Sequence, residues 1–330
     1  MIIVRSPLRI SLAGGGSDLP SFYSNDFGAV CSIAINKYVY VTVNNLSVYF
    51  PHRLRIAYSQ TELTQDAKSI KHPIVREALT QLKIQGGIDV NVMSDIPAGT
   101  GLGSSSTFTV SLIHALNAFQ NRLVGKDYLA KEACRLELDI LKEPIGKQDQ
   151  YAASFGGINL FKFHKSEQVS VEPIPMSKER EESLMSRLMV FYLGGNRSAS
   201  DILKNQVANA SRNLDELKEL REQAIQMAHV LGNSEGTGSL DEVGRILHRG
   251  WTLKKNLATG ITNTEIDHAV ERALDAGALG GKILGAGGTG FLLFYVPEDR
   301  KNAVKKAINE YPEVHFEVDH LGSTLLYYER

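Results

Sequence analysis

Cysteine is nearly missing from this sequence: there are two, Cys31 and Cys134, in 330 residues. They lie far apart in apolar or helical surroundings and form no CxxC pair. That excludes a disulfide framework and leaves two buried, reduced thiols as the expectation. No apolar run reaches the ~20 residues a membrane-crossing helix needs. The chain opens on Ile2-Ile3-Val4, with no basic stretch leading into a signal core. A cytoplasmic protein with no membrane partner is therefore expected. Surplus charge is missing too. Lys and Arg total 36 against 37 Asp and Glu, a formal net charge of −1. That speaks against nucleic acid as the main partner, so an anionic ligand must be held locally, by backbone N–H groups and a few cations. Repeats and low-complexity segments are absent.

What is present suits an ordinary globular chain of about two domains. Strand patterns run through Arg9–Ala13, Ala29–Ile35, Tyr38–Val43 and Ile88–Val92. Helical periodicity follows at Ser104–Phe119 and Asp127–Leu141. A charged stretch, Glu167–Glu182, carries Pro173 and Pro175 and marks a boundary. The expected division is residues 1–175 and 176–330. Beyond it, Arg180–Arg187, Ala199–Leu231, Leu240–Leu257 and Thr264–Ala276 read as helices, the last opened by a Thr262-x-x-Glu265 capping box and stopped at Gly277. Strands return at Phe291–Val296, His315–Val318 and Thr324–Tyr328. Strands with segregated helices indicate an α+β class.

The 29 glycines cluster in three places. Pro97-Ala98-Gly99-Thr100-Gly101-Leu102-Gly103-Ser104-Ser105-Ser106 joins a strand to a helix. Its glycines allow close backbone approach, the helix start offers free N–H groups to an anion, and the serines offer hydroxyls to phosphate or metal. A turn with a serine N-cap would also fit that segment taken alone. No lysine follows the glycines, so this is not the GxxxxGK[ST] loop. Lys282-Ile283-Leu284-Gly285-Ala286-Gly287-Gly288-Thr289-Gly290-Phe291 leads from a helix into a strand, and alone could be a hairpin. Pro7–Asp18 runs a strand into Gly14-Gly15-Gly16 and ends on Ser17 and Asp18, which alone could be a cap.

Together, in this order and spacing, the three segments resemble the GHMP kinases, the superfamily of galactokinase, homoserine kinase and mevalonate kinase. Within it the chain looks most like the D-glycero-D-manno-heptose 7-phosphate kinases, through Leu8–Asp18, Gly146-Lys147-Gln148-Asp149-Gln150-Tyr151 and Gly194-Gly195-Asn196-Arg197-Ser198-Ala199. The resemblance covers essentially the whole chain. It implies an N-terminal nucleotide-binding domain with a left-handed βαβ unit, a ferredoxin-like C-terminal domain, and a cleft between them.

It also implies roles. Phosphoryl transfer needs a phosphate cradle, a metal, a cation near the transferred group and a carboxylate near the acceptor hydroxyl. Pro97, Gly99, Gly101, Leu102, Gly103, Ser104, Ser105 and Ser106 match the nucleotide cradle. Ser105 and Glu137 match the Mg²⁺ ligands. Asp149 matches the catalytic base, with Arg9 keeping it ionised. Gly14, Gly15, Gly16, Ser17 and Asp18, with Gly287 and Gly288, would face the substrate. Arg197 and Lys254 are candidates for a distal substrate phosphate. Galactokinases carry a Glu-His pair where this chain has Gly15-Gly16, so freed volume for a longer sugar is expected. The implied reaction is ATP- and Mg²⁺-dependent phosphorylation of the anomeric hydroxyl of a heptose 7-phosphate; the partners are thus a nucleotide and a small sugar phosphate. A kinase for a free sugar such as fucose or galactose, and a non-catalytic sugar sensor, are the alternatives.

Overall fold

The computed structural model describes residues 1–195, 200–232 and 239–329. The chain begins with β1 (Ile2–Ala13) and β2 (Gly28–Asn45), continues through β3 (Leu54–Ala57), β4 (Thr61–Thr64), β5 (Ile88–Ser94), β6 (Ile158–Phe163) and β7 (Val169–Pro173), then changes sheet. The second sheet holds β8 (Leu188–Gly194), β9 (Gly280–Ile283), β10 (Gly290–Tyr295) and β11 (Glu313–Val314), in the antiparallel order β11-β8-β10-β9. The last strand, β12 (Thr324–Tyr328), returns to the first sheet and pairs with β1, giving the path β12-β1-β2-β5-β3-β4, with β6 on β2 and β7 on β6. Helices segregate from both sheets, which makes the class α+β. They are α1 (Pro20–Tyr23), α2 (Pro73–Gln81), α3 (Ser104–Phe119), α4 (Lys126–Cys134), α5 (Gln148–Phe155), α6 (Lys178–Arg187), α7 (Ser200–Asn209), α8 (Leu214–Gly232), α9 (Asp241–Lys254), α10 (Thr264–Asp275) and α11 (Lys301–Ala307).

The two strands read at Ala29–Ile35 and Tyr38–Val43 are one. Nothing between them forces a turn, and the chain passes through with a register shift opposite Pro7/Leu8. β2 then serves two neighbours: Gly28–Ile33 pairs with β6, and Val39–Asn45 with β5. α3 lies against this sheet, buried on nearly every side. Its hydroxyls are satisfied by main-chain acceptors, Thr107 on Pro7 O and Ser111 on Val39 O. Cys31 and Cys134 are buried and free.

Other expectations need correction. The helix read at Asp127–Leu141 is α4 followed by a π-helical turn, Arg135–Ile140. Ala199–Leu231 is two helices. The chain turns at Ala210–Asn213, where Asn213 gives its side-chain amide to Leu257 O instead of continuing the helix. The cap of α10 is Asn263, whose side chain accepts from Ile266 N at 2.9 Å, not Thr262. His315–Val318 is not a strand. Pairing with β8 stops at Val314, and Val318 makes a single bridge to Ile35, because this segment carries the chain from the second sheet back to the first. The Lys282–Phe291 glycine segment is the turn of the β9–β10 hairpin. Among the described residues no helix is long and apolar enough to cross a membrane.

Candidate active site

β1 delivers Arg9, and α5 delivers Asp149 in its first turn. The two form a bidentate pair: Arg9 Nε donates to one carboxylate oxygen at 2.7 Å and a terminal nitrogen to the other at 2.8 Å. The remaining terminal nitrogen donates to Gly101 O at 2.6 Å, and Arg9 N donates to Leu102 O at 3.1 Å. A single strand residue therefore binds the carboxylate and the first glycine loop together. Arg9 is buried, whereas about a quarter of the Asp149 side chain, 26 %, is exposed.

The glycines of that loop have specific reasons. Gly99, Gly101 and Gly103 all have positive φ, at 78°, 89° and 79°. A Cβ on Gly103 would stand 3.1 Å from an Asp149 oxygen, and one on Gly101 would stand 2.6 Å from Leu284 O. Gly103 is the N-cap of α3 and supplies no side chain, so the first N–H groups of this 16-residue helix have no side-chain cap. They are free to take an anion beside the Asp149 carboxylate. Ser104 and Ser106 are buried there and Ser105 is exposed, as are Pro97 and Gly99.

Asp18 enters from the turn after β1. Gly16 N and Gln148 N donate to its two oxygens at 3.1 and 3.3 Å. Gly146 makes room: a Cβ there would lie 1.9 Å from an Asp18 oxygen. Burial raises the Asp18 carboxyl pKa, and the nearby Asp149 charge adds to the rise. Ser17 faces inward. Its hydroxyl donates to Gly14 O and Ala29 O and accepts from Ala29 N, so it shapes the turn and has no donor left over for a ligand.

The π turn buries two successive residues, Leu136 and Glu137, and so points a carboxylate toward α3. Glu137 accepts from Thr109 at 3.0 Å and from the Gln150 amide at 2.7 Å. Burial raises its pKa to about 7, against hydrogen bonds from Gln150, Ser106 and Thr109. The serine that bonds Glu137 is thus Ser106; Ser105 lies one position away on the exposed side of the helix. Gln150 Oε1 is buried with no partner in the protein. A buried carboxylate, hydroxyls and an orphaned carbonyl oxygen at the cradle's edge are a donor set that suits a hard cation such as Mg²⁺. Among the described residues no cluster of three His, Cys, Asp or Glu could hold a metal alone, so nucleotide phosphates would complete its coordination.

The space at Gly15-Gly16 is bordered by side chains of α8, α9 and the residues just after α9. A Cβ on Gly15 would meet Lys254 Nζ at 3.5 Å, and one on Gly16 would meet Leu217 at 3.3 Å and Leu257 at 3.7 Å. Lys254, the last residue of α9, is buried, donates to Gly285 O at 2.6 Å, and lies within electrostatic reach of Arg9, Asp18 and Asp149. It is therefore near both carboxylates. Burial lowers its pKa from 10.5 to about 8, with Arg9 adding to the effect and the two aspartates opposing it. Arg197 lies outside the described residues. Gly287 and Gly288 back onto residues 261–263: Gly288 N donates to Ile261 O and the Asn263 amide to Gly288 O. Leu284 and Gly285 of this hairpin approach the first loop at Gly101, and Gly290 approaches it at Thr100. Sequence reading assigns no role to Lys282. It is buried on β9, donates to Ser11 O at 2.9 Å, and has its pKa lowered well below 10.5 by burial and by Lys254 and Arg9. A lysine inside an otherwise apolar strand was the available signal.

Known proteins resemble this chain along both of its halves. Residues 69–157 match the family model for the GHMP kinases N terminal domain, and residues 217–315 that for GHMP kinases C terminal. A D-glycero-alpha-D-manno-heptose 7-phosphate kinase of Campylobacter jejuni is 30 % identical over 324 residues, covering 94 % of this chain and 93 % of that one. A galactokinase of Pyrococcus furiosus is 26 % identical over 343 residues, covering 93 % and 92 %. The crystal structure of a D-glycero-D-manno-heptose 1-phosphate kinase from Bacteroides thetaiotaomicron superposes with a TM-score of 0.79 at 26 % identity, over 100 % of both chains. With a model for each half and a full-length relative at that identity, the chain belongs to the GHMP kinase family and is a sugar kinase within it.

Proposed function

We propose that the chain transfers the γ-phosphoryl group of ATP to the anomeric hydroxyl of D-glycero-D-manno-heptose 7-phosphate, giving a 1,7-bisphosphate for nucleotide-activated, cell-surface heptose. The reading rests on one observation above all: the uncapped start of α3 and the Asp149 carboxylate meet at Gly103, so a phosphate held by the helix lies next to a base. The acceptor O–H bond breaks and its proton goes to Asp149. The oxygen bonds to the γ-phosphorus as the bridging P–O bond breaks, and ADP leaves with that electron pair. Arg9 fixes both Asp149 oxygens and offsets charge on the transferred group. Asp18 accepts from sugar hydroxyls. Glu137 with the hydroxyls of Ser105 or Ser106 would hold Mg²⁺, which supplies charge neutralisation on the nucleotide phosphates. Residues 1–175 then carry the nucleotide and residues 176–330 close the cleft. A supply of ATP and sugar phosphate points to the cytoplasm.

The named relatives support a heptose phosphate, although one is named for the 7-phosphate and the other for the 1-phosphate. A kinase for a free sugar is the second reading. It is favoured by the placement of Lys254, which faces the carboxylates instead of standing ready for a distal phosphate. The deciding measurement is kcat/KM for the heptose with and without its 7-phosphate. One charge-assisted hydrogen bond to that phosphate, at about 1.5–3 kcal/mol, corresponds to roughly one to two orders of magnitude. Arg197→Ala should erase most of the difference. Equal values for the two sugars in the wild type would move the assignment to the free-sugar kinase.

A further inference from the structure

Two unused polar groups converge on one point beside the base. Measured from the position a Cβ would take on Gly15, Lys254 Nζ is 3.5 Å away and Ser11 Oγ 3.6 Å. Lys254 uses one of its three N–H bonds on Gly285 O. The Ser11 hydroxyl is buried and has no partner in the protein. Buried polar groups without partners are rare in folded proteins, and an orphaned Ser11 hydroxyl beside an ammonium with two N–H bonds unused points to a ligand that supplies the partners. The charges around that gap point the same way. Lys254 interacts with Arg9, Asp18 and Asp149, and Lys282 stands behind it, interacting with Lys254 and Arg9. Lys282 is committed to the main chain of β1, at Ser11 O and Leu12 O, and Arg9 to Asp149 and Gly101 O. Lys254 commits the fewest donors of the three, one N–H of its three.

We infer that Lys254 is a catalytic residue, its ammonium donating to the acceptor oxygen and to the phosphoryl group in transit, while the Ser11 hydroxyl holds the same end of the sugar. The glycine at position 15 is then the clearance for this lysine. Lys254 keeps its proton throughout; the proton released by the acceptor still goes to Asp149. The assignment rests on the kinase reading and replaces a distal-phosphate role, since a group facing Arg9 and Asp149 sits at the reacting end of the substrate and not at its far phosphate.

The test is Lys254→Met in the full chain, assayed against heptose 7-phosphate and against unphosphorylated heptose. Methionine keeps the stem and removes the charge. The expected result is a fall in kcat of about 100-fold or more on both sugars, the scale of losing one preorganised donor, with ADP affinity and melting temperature held. A fall confined to the phosphorylated sugar would restore the distal-phosphate role, and a fall under about threefold on both would leave Lys254 structural; either overturns the inference. Lys254→Arg supplies a readout that a structural role would not move. In the wild type kcat/KM should decline above about pH 8 as the ammonium is lost, and arginine, which stays charged, should shift that decline upward; an unmoved limb counts against the inference. If the wild type phosphorylates neither sugar, the heptose reading fails by itself. ADP binding with Mg²⁺ and aluminium fluoride, a mimic of the phosphoryl in transit, then decides Lys254: the mimic should tighten ADP binding in the wild type, and that gain should vanish in Lys254→Met; if the variant keeps the gain, the inference is overturned.

Discussion

At the residue scale, Lys254 shows a conflict between chemistry and stability. Its ammonium is buried, and its pKa falls from 10.5 to about 8 on folding. Between those pH values the unfolded chain holds a proton that the folded chain has released, so stability rises with pH across that window. Below pH 8 both states are charged and the folded one carries the full desolvation cost, at most about 3 kcal/mol for a shift of this size. Lys254→Met should therefore melt at the same temperature as the wild type or higher at pH 7, and the gap should close as pH approaches 10.5. Thermal melts at pH 7, 8.5 and 10 check this; a variant several degrees less stable at pH 7 would contradict it. The sequence brings Arg9, Asp18, Glu137 and Asp149 into view because each stands in a recognisable string. The position of Lys254 is not legible, since it is set by α9 reaching across to a turn some 240 residues earlier in the chain. What borders Gly15-Gly16 is hidden for the same reason: a missing side chain says nothing about what a distant helix brings beside it.

At the element scale, local pattern carries far where an element is long and one-sided, and poorly where it is short. α3, α9 and α10 are legible from apolar spacing, and β12 from its β-formers. α2, starting on Pro73, and α5, eight residues buried beneath β1, are too short to show a period. Asp149 reads as a loop residue in the sequence and is in fact in the first turn of α5. The cap of α10 is a case where two neighbouring polar residues compete. Asn263 caps Ile266 N and also donates to Gly288 O, so it fastens the helix start to the glycine hairpin. Asn263→Ala should cost about 1 kcal/mol, the usual loss for an N-cap. Thr262→Ala, which loses only a hydroxyl bond to Asp267, should cost less. Denaturant titration of the two variants separates them, and the reverse order would return the cap to Thr262.

At the scale of the whole molecule, a loop of the second sheet meets the loop before α3 backbone to backbone. A Cβ on Gly285 would lie 2.4 Å from Gly101 Cα, and Gly285 has φ of +68°. The hairpin of the second sheet therefore constrains the shape of the 97–106 loop, the proposed phosphate cradle. Gly285→Ala should leave a folded protein whose nucleotide affinity falls by about tenfold or more, roughly 1.4 kcal/mol; calorimetric titration of ADP measures it, and unchanged affinity would show the two loops to be independent. The return of β12 has a different consequence, one of timing. β1 has β2 on one side and β12 on the other, and its register partners Ile2 and Tyr328 stand at opposite ends of the sequence. During synthesis the first strand emerges early and keeps an open edge until more than three hundred residues have followed. An open apolar edge is an invitation to pair with another chain. The nascent protein thus spends most of its translation with its first sheet unclosed. A fragment ending near residue 175 would stay in that state indefinitely, so residues 1–175 cannot be expected to behave as a free-standing domain even though the second sheet begins just after them.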